Sequence, residues 1–198
     1  MQRATTDLSD VQREPLVTFP PDELAALVRS FTPARLAALL DVTDLKADTQ
    51  EPKMHKMAEW AVTLGCASVC VNPVEGSDIL PELLRGSSVK ECYVIDFPLG
   101  KLDIEQKAQQ TAHTVKKSRA IRGDGPGHIE LDMVINVGRF KRDPAYAAAE
   151  IDAVVQAADG EAVKVIIRSS ELTPAELYRM SAIVGASGAA FIKNSTGM

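Results

Sequence analysis

Short apolar runs rich in valine and isoleucine alternate with helical patterns along most of this chain. The apolar runs cover residues 38–42, 68–72, 92–95, 130–135, 162–167 and 189–193. Apolar residues at three- and four-residue spacing predict helices over 23–31, 34–39, 54–64, 103–120, 146–158 and 174–184, with a shorter one over 79–84. This repeated order predicts a parallel sheet with crossover helices. Because the runs are almost continuously apolar, we expect both faces of the sheet to be covered.

The strand–helix order predicts an α/β protein but leaves two architectures open, a doubly wound sheet and a (β/α)₈ barrel. A barrel of this type needs about 250 residues. The 198 residues here accommodate about six βα units and stop directly after the sixth strand. Residues 1–20 are polar and show no periodicity, so we expect an N-terminal extension followed by one domain over 21–198.

The charge balance excludes several classes of partner. The formal net charge is −5, so the basic surface of a nucleic-acid-binding protein is not expected. No apolar run reaches the roughly 18 to 20 residues of a membrane helix, and the N-terminus lacks the apolar segment of a secretory signal. The three cysteines are expected to be reduced thiols. These features predict a cytoplasmic protein that acts on small molecules.

Four charged residues interrupt four of the apolar runs. They are Asp41, Asp132, Lys164 and Lys193. A buried charge costs several kcal/mol unless it is paired. We therefore expect Asp132, Lys164 and Lys193 to converge on the inner side of the strands, toward their carboxyl ends.

Such a cluster indicates amine chemistry. A lysine that is desolvated beside a second cation loses basicity and becomes a nucleophile toward carbonyl groups. A neighbouring carboxylate can move the protons that Schiff-base formation requires. The histidines and cysteines do not form a recognisable zinc set, so no metal site is predicted. The residues therefore favour a metal-independent, class I aldolase.

Two further motifs favour structural roles. The glycine-rich segment 123–127 precedes a strand and contains a proline, so it predicts a helix-to-strand turn, not a phosphate loop. Cys66 and Cys92 are expected to pack in the core. Packing is also the preferred interpretation of Cys70, although its position within a strand leaves a functional role open.

Five segments carry a family resemblance, in the same order as in that family. They are Leu40-Asp-Val-Thr43, Ala67-Ser-Val-Cys-Val-Asn-Pro73, Val94-Ile-Asp-Phe-Pro-Leu-Gly100, Glu130-Leu-Asp-Met-Val-Ile-Asn136, and Val163-Lys-Val-Ile-Ile167 together with Phe191-Ile-Lys-Asn-Ser-Thr-Gly197. The chain resembles the deoxyribose-phosphate aldolases. The resemblance implies a (β/α)₈ barrel and a lyase of deoxyribonucleotide catabolism. Such an enzyme reversibly cleaves 2-deoxy-D-ribose 5-phosphate to glyceraldehyde 3-phosphate and acetaldehyde, without a cofactor.

The resemblance also implies roles for individual residues. Lys193 matches the Schiff-base lysine, and Asp132 matches the acid that moves protons on the intermediates. Lys164 matches a strand lysine kept beside the nucleophile. The residues that match the substrate pocket and the loop after the sixth strand are Asp41, Thr43, Cys70, Thr196 and Gly197.

The sequence departs from the family at several positions. Asn194 replaces the usual threonine after the nucleophile, and Arg168 stands where an acid is usual. A second lysine on a seventh strand and the Gly-x-Ser-Ser phosphate loop have no counterpart, so we expect a barrel lacking its last two βα units.

Two alternatives stay open: a binding or interaction protein that keeps the fold, or another lysine aldolase or transaldolase. A homo-oligomer is also compatible with the sequence.

Overall fold

The computed structural model describes residues 20–123 and 125–198. Its six strands form one parallel sheet in which spatial order equals chain order. The strands are β1 (Asp41–Asp44), β2 (Ser68–Val71), β3 (Lys90–Ile95), β4 (Ile129–Val134), β5 (Ala162–Ile166) and β6 (Phe191–Lys193). This arrangement confirms the predicted parallel α/β sheet and its six strands.

Helices connect the strands and precede the first of them. The α-helices in the described ranges are α1 (Pro21–Ser30), α2 (Pro33–Ala37), α3 (Glu51–Leu64), α4 (Pro73–Leu83), α5 (Ile104–Arg122), α6 (Val137–Arg142), α7 (Pro144–Ala157) and α8 (Pro174–Ala186). A short 3₁₀ turn covers Ser169–Glu171. No helix in the described ranges has the length and hydropathy needed to cross a membrane.

Two predicted boundaries are corrected by the structure, and one helix was missed. The first strand begins at Asp41 instead of residue 38, because Leu39 and Leu40 are exposed and pairing with β2 starts at Asp41. The helix predicted over 79–84 extends back to Pro73, where proline is suited to a first turn. The short helix α6 was not predicted. Of the predicted extension 1–20, residues 1–19 lie outside the described part.

Local sequence signals account for several helix ends. Thr173 begins α8 with a capping box, in which its hydroxyl accepts from the backbone of Glu176 and the Glu176 carboxylate accepts from the backbone of Thr173. Asp103 forms the same motif with Gln106 at the start of α5. Gly123 ends α5 at a positive φ of 78° and leads toward β4. The glycine-rich segment is therefore the predicted helix-to-strand connection.

The strand register separates two faces of the sheet. The outer face, which includes Val69, Leu131 and Val165, packs against the helices in the main hydrophobic core. On the other face, Asp132 of β4 is the register partner of Lys164 of β5. Because side chains alternate along a strand, the charged residues of successive strands share this second face. We call it the interior face.

The sheet is strongly curled around the interior face. Lys164 of β5 lies 2.7 Å from Asp41 of β1, and Lys193 of β6 lies 3.8 Å from Asp41. In a flat sheet, five strand spacings would separate β1 from β6 by about 24 Å. The contacts between the first and the last strands therefore require the curvature of a barrel wall.

Exposed strand edges give a first testable expectation. Among the described residues, β1 and β6 each pair with one neighbouring strand, and Leu40, Phe191 and Ile192 beside these edges are about half exposed. Unpaired apolar edges join other chains. We expect the 198-residue chain to self-associate with rising concentration in sedimentation velocity, and Ile192→Lys to reduce the association. A strictly monomeric chain would contradict this expectation.

Candidate active site

Five ionisable side chains meet on the interior face. They come from four strands and are Asp41, Glu130, Asp132, Lys164 and Lys193. We call this group the interior cluster. It holds its charges close together because the curled sheet directs alternate residues of every strand toward the same space.

Lys193 and Asp132 form the central pair of the cluster. The Lys193 ammonium donates a short hydrogen bond to Oδ2 of Asp132. The other carboxylate oxygen of Asp132 lies 3.7 Å from Nζ of Lys164. Asp132 is fully buried and Lys164 nearly so, whereas the Lys193 side chain retains 34% exposure. The amine predicted to be the nucleophile is thus the cluster lysine most open to solvent.

Lys164 is held by carboxylates from two other strands. Its Nζ lies 2.7 Å from Oδ2 of Asp41 and 2.5 Å from Oε2 of Glu130. Glu130 also accepts from Lys90 at 3.1 Å. Glu130 was missed at the sequence level, although its spacing gave a signal. It stands two residues before Asp132 on one strand, and such residues share a face.

The electrostatics of Lys193 correct one expectation. Burial by itself lowers the pKa of this amine, but the charge and hydrogen bond of Asp132 outweigh burial, so its pKa lies above the ordinary 10.5. A second cation would lower the basicity of Lys193, but the family's second lysine on a seventh strand has no counterpart here, so we expected an amine of nearly ordinary basicity. The adjacent carboxylate raises the pKa beyond that ordinary value and favours the ammonium form. Lys193 must therefore lose a proton before it can attack a carbonyl.

The second lysine is also kept charged. Burial lowers the pKa of Lys164, but its acidic neighbours, including Asp132, Asp41 and Glu130, raise it above the ordinary range. Burial raises the pKa of the Asp41 carboxyl, but hydrogen bonds from Lys164 and Ser68 lower it by more. The net effect is a pKa below the ordinary value. Lys164 is therefore a permanent cation beside the Lys193–Asp132 pair.

The structure places the other predicted pocket residues at different distances from the cluster. Cys70 is buried on the interior face, in register with Thr43, whose hydroxyl donates to the Asp41 backbone. Thr196 and Gly197 make only short-range hydrogen bonds within 195–198 among the described contacts. The structure therefore brings Cys70 to the cluster, within 4.8 Å of an Asp132 oxygen, whereas no described hydrogen bond joins Thr196 or Gly197 to it.

Cys92 packs in a core, as predicted, but in the small cluster with Cys70 and Val94 on the interior face. There its thiol donates to Oδ1 of Asp132 at 3.2 Å. Its Sγ also lies 3.9 Å from Nζ of Lys164. Cys66, by contrast, packs in the main core as predicted. Sequence reasoning missed Cys92 because a buried cysteine in an apolar run looks the same on either face.

A cavity of about 270 Å³ opens beside the cluster, on the side of the residues that precede or begin β1, β2 and β6. This is the amino end of these strands and not the carboxyl end that the sequence predicted for the site. Its lining residues are Ala38, Leu39, Asp41, Ala67, Glu130, Lys164, Phe191, Ile192 and Lys193. Arg168 is not among them. Its guanidinium donates to the Pro98 carbonyl at 2.6 Å and pairs with Glu171. Arg168, which differs from the acid usual in the family, therefore links the loops after β3 and β5 and adds no charge to the cluster.

The raised Lys193 pKa gives a pH prediction. At neutral pH the amine is an ammonium ion, so imine formation with acetaldehyde, trapped by borohydride, should accelerate as pH rises from 7 to 9.5. Below the pKa, the free-amine fraction grows about tenfold per pH unit. Asp132→Asn removes the stabilising charge and should move the profile to lower pH. A pH-independent initial rate in the unmodified chain would show that the amine is already free.

A lysine–carboxylate pair on the interior face of a curled parallel sheet is the arrangement expected in (β/α)-barrel enzymes that use a lysine amine. The chain is 41% identical over 165 residues to the deoxyribose-phosphate aldolase of Clostridium perfringens, and 42% identical over 165 residues to deoxyribose-phosphate aldolase 1 of Bacillus licheniformis. The chain belongs to the deoxyribose-phosphate aldolase family. This confirms the resemblance stated from the sequence, and with it a class I aldolase. No protein-family model matches the chain.

Solved structures support the same fold. The structure of a deoxyribose-phosphate aldolase from Aeropyrum pernix, described as a tetramer, matches with a TM-score of 0.73 at 26% identity. A structure assigned to a deoxyribose-phosphate aldolase of Coccidioides immitis matches with a TM-score of 0.75 at 27% identity. These matches confirm the predicted barrel type.

The matches cover most of this chain but only part of each relative. The alignments span 82% of this chain with each bacterial relative, 69% of the C. perfringens protein and 70% of the B. licheniformis protein. The structural matches cover 88% of this chain and 70% of the A. pernix chain, and 84% of this chain and 62% of the C. immitis chain. The chain thus corresponds to about two thirds of these relatives.

Proposed function

We propose that this chain carries out the Schiff-base chemistry of a deoxyribose-phosphate aldolase, the reversible cleavage of 2-deoxy-D-ribose 5-phosphate. The observation that carries the proposal is the direct hydrogen bond between Lys193 and Asp132 beside an open cavity. The pair supplies a nucleophilic nitrogen and a proton acceptor at one point. Family membership specifies the substrate class. Neither alternative, a non-catalytic relic or a different lysine aldolase, is favoured by the relatives.

The proposed reaction begins with proton transfer from the Lys193 ammonium to Asp132 or to solvent. The free amine then attacks C1 of the open-chain aldehyde, and loss of water gives an iminium ion. The Asp132 carboxylate, directly or through water, then removes the proton of the C3 hydroxyl. The C2–C3 bond breaks, its electron pair passes to the iminium nitrogen, and glyceraldehyde 3-phosphate leaves while an enamine remains. Protonation and hydrolysis of the enamine release acetaldehyde and restore Lys193.

In this proposal Lys164 acts through charge. It remains protonated at 3.7 Å from Asp132, so it stabilises the carboxylate form of the acid after each proton leaves. Glu130 and Asp41 hold Lys164 in place from the opposite side. The same proposal includes a cytoplasmic location, where phosphorylated sugars are made and consumed, and an assembly of several copies.

The test compares two substrates on the same chain. The chain is incubated with 2-deoxyribose 5-phosphate or with a ketose phosphate, reduced with borohydride and digested for peptide mass spectrometry. We expect a reduced adduct on the peptide that contains Lys193 with the deoxy sugar and with acetaldehyde. Adducts that form equally well with ketose phosphates would indicate a different lysine aldolase. No adduct with any carbonyl compound would refute the proposed chemistry.

A further inference from the structure

Two buried thiols and one carboxylate meet on the interior face. One ligand atom each from Cys70, Cys92 and Asp132 lies within 4.8 Å of the other two, and all three residues are buried. The register explains the approach, since Cys70 of β2 is the direct partner of Cys92 of β3. The triad is invisible in the sequence because its members are far apart along the chain and come from three strands.

The donor atoms suit a thiophilic divalent cation. Two thiolates and one carboxylate leave the fourth position of a tetrahedral Zn²⁺ ion open to water. With Zn–S bonds of about 2.3 Å and Zn–O bonds of about 2.1 Å, tetrahedral ligand atoms lie about 3.5 to 3.8 Å apart. The Cys92 sulfur and the Asp132 oxygen are already 3.2 Å apart. The remaining pairs need to approach by at most about 1 Å, which side-chain rotation can supply.

The surrounding charges are compatible with such an ion. The Lys164 ammonium already lies 3.9 Å from the Cys92 sulfur and 3.7 Å from Oδ1 of Asp132, so the triad faces positive charge. Asp41 and Glu130 hold Lys164 from its other side. Lys164 can therefore remain in place, and its charge offsets the excess negative charge of two thiolates and a carboxylate around a dication.

We propose that Cys70, Cys92 and Asp132 form a binding site for a thiophilic divalent cation such as Zn²⁺, and that the bound ion inhibits imine formation. Each thiol releases its proton to solvent, and three ligand atoms donate electron pairs to the metal without any redox change. Because the metal binds thiolates and not thiols, binding releases protons. Inhibition follows because the ion takes Asp132 from Lys193.

The test uses Cd²⁺ as a spectroscopic probe of the thiolates. The 198-residue chain is titrated with Cd²⁺ in a weakly coordinating buffer, and the ultraviolet thiolate-to-metal charge-transfer band is recorded. We expect one ion per chain, with release of protons on binding. Cys70→Ser and Cys92→Ser should each weaken binding by at least about 10- to 100-fold, the loss that even an outer-shell partner causes. Cys66→Ser is the matched control, because Cys66 is also buried but packs in the main hydrophobic core and not on the interior face.

The outcomes separate this proposal from the proposed function. A band that survives in Cys70→Ser and Cys92→Ser, or that disappears in Cys66→Ser, would overturn the site. So would the absence of a band and of proton release in the unmodified chain, a result that does not depend on any variant folding. The inhibitory part, which rests on the proposed function, predicts that Zn²⁺ lowers borohydride trapping at Lys193 and that a chelator restores it. If trapping never occurs, the aldolase proposal fails, while the cadmium band still decides the metal site.

Discussion

Replacing Lys193 by alanine is expected to abolish imine formation with acetaldehyde and with 2-deoxyribose 5-phosphate. Lys193 hydrogen-bonds to Asp132 and is the more exposed of the two lysines that line the cavity. A deleted nucleophile leaves no electron pair for the carbonyl carbon, so the trapping rate should fall on the order of 10⁴-fold or more. The measurement is peptide-mapped borohydride trapping followed over time.

Two further variants make this result decisive. Lys193→Arg preserves a cation beside Asp132 and hence the charge balance of the interior cluster, but guanidinium does not form the imine. The Lys193→Arg variant should therefore be folded but unable to form the imine. Lys117→Ala removes a lysine on α5 that pairs with Asp78 at 2.7 Å and does not belong to the interior cluster. This variant should form the trapped imine at the normal rate. A mapped adduct that persists in Lys193→Arg on another lysine would refute the assignment of the nucleophile.

The largest stability effect is expected at a lysine outside the active site. Lys107 of α5 is fully buried, and its Nζ lies 2.5 Å from Glu150, 3.3 Å from Asp96 and 2.8 Å from the Val134 carbonyl. Burial raises the pKa of Glu150, and Lys107 opposes that rise. Lys107→Met would leave these acids without their buried cation. We expect the free energy of unfolding to fall by about 3–5 kcal/mol.

The control for this change lies on the same helix. Lys116→Met makes the same chemical substitution at an exposed position of α5, so it should change the free energy of unfolding by less than about 0.5 kcal/mol. Urea denaturation of both variants gives the comparison. The double variant Lys107→Met/Glu150→Leu should recover much of the loss, because it removes Glu150, the fully buried one of the two acids that lose their cation. A single variant within 1 kcal/mol of the unmodified chain would show that the buried ion pair contributes little.

Sequence periodicity predicted the order of the six strands and of the helices between them, apart from α6. It did not distinguish a doubly wound sheet from a barrel. Repeated apolar runs separated by helical patterns predict parallel strands. Two parallel neighbours need a long crossover connection, usually a helix, that returns the chain to the same end of the sheet. The boundaries failed at β1, where Leu39 and Leu40 looked like core residues but are exposed. Apolar character alone does not distinguish a buried strand from an uncovered segment beside it.

The sequence by itself also determined which charged residues required an explanation. Asp41, Asp132, Lys164 and Lys193 interrupt apolar strands, and burial makes an unpaired charge costly, so their convergence followed from elementary electrostatics. Motif resemblance added the family and the role expected of Lys193. Neither argument depended on three-dimensional distances.

Only the tertiary structure decided which partner dominates each charge. The sequence predicted a nearly ordinary basicity for Lys193, because the family's second lysine has no counterpart, whereas curvature of the sheet places Asp132 against Lys193 and surrounds Lys164 with carboxylates. The same curvature brings Cys92 to Asp132. The physical reason is that electrostatic interactions change steeply over a few ångströms. Alternation along a strand gives the face of a side chain, but the distance between side chains depends on how the whole sheet bends.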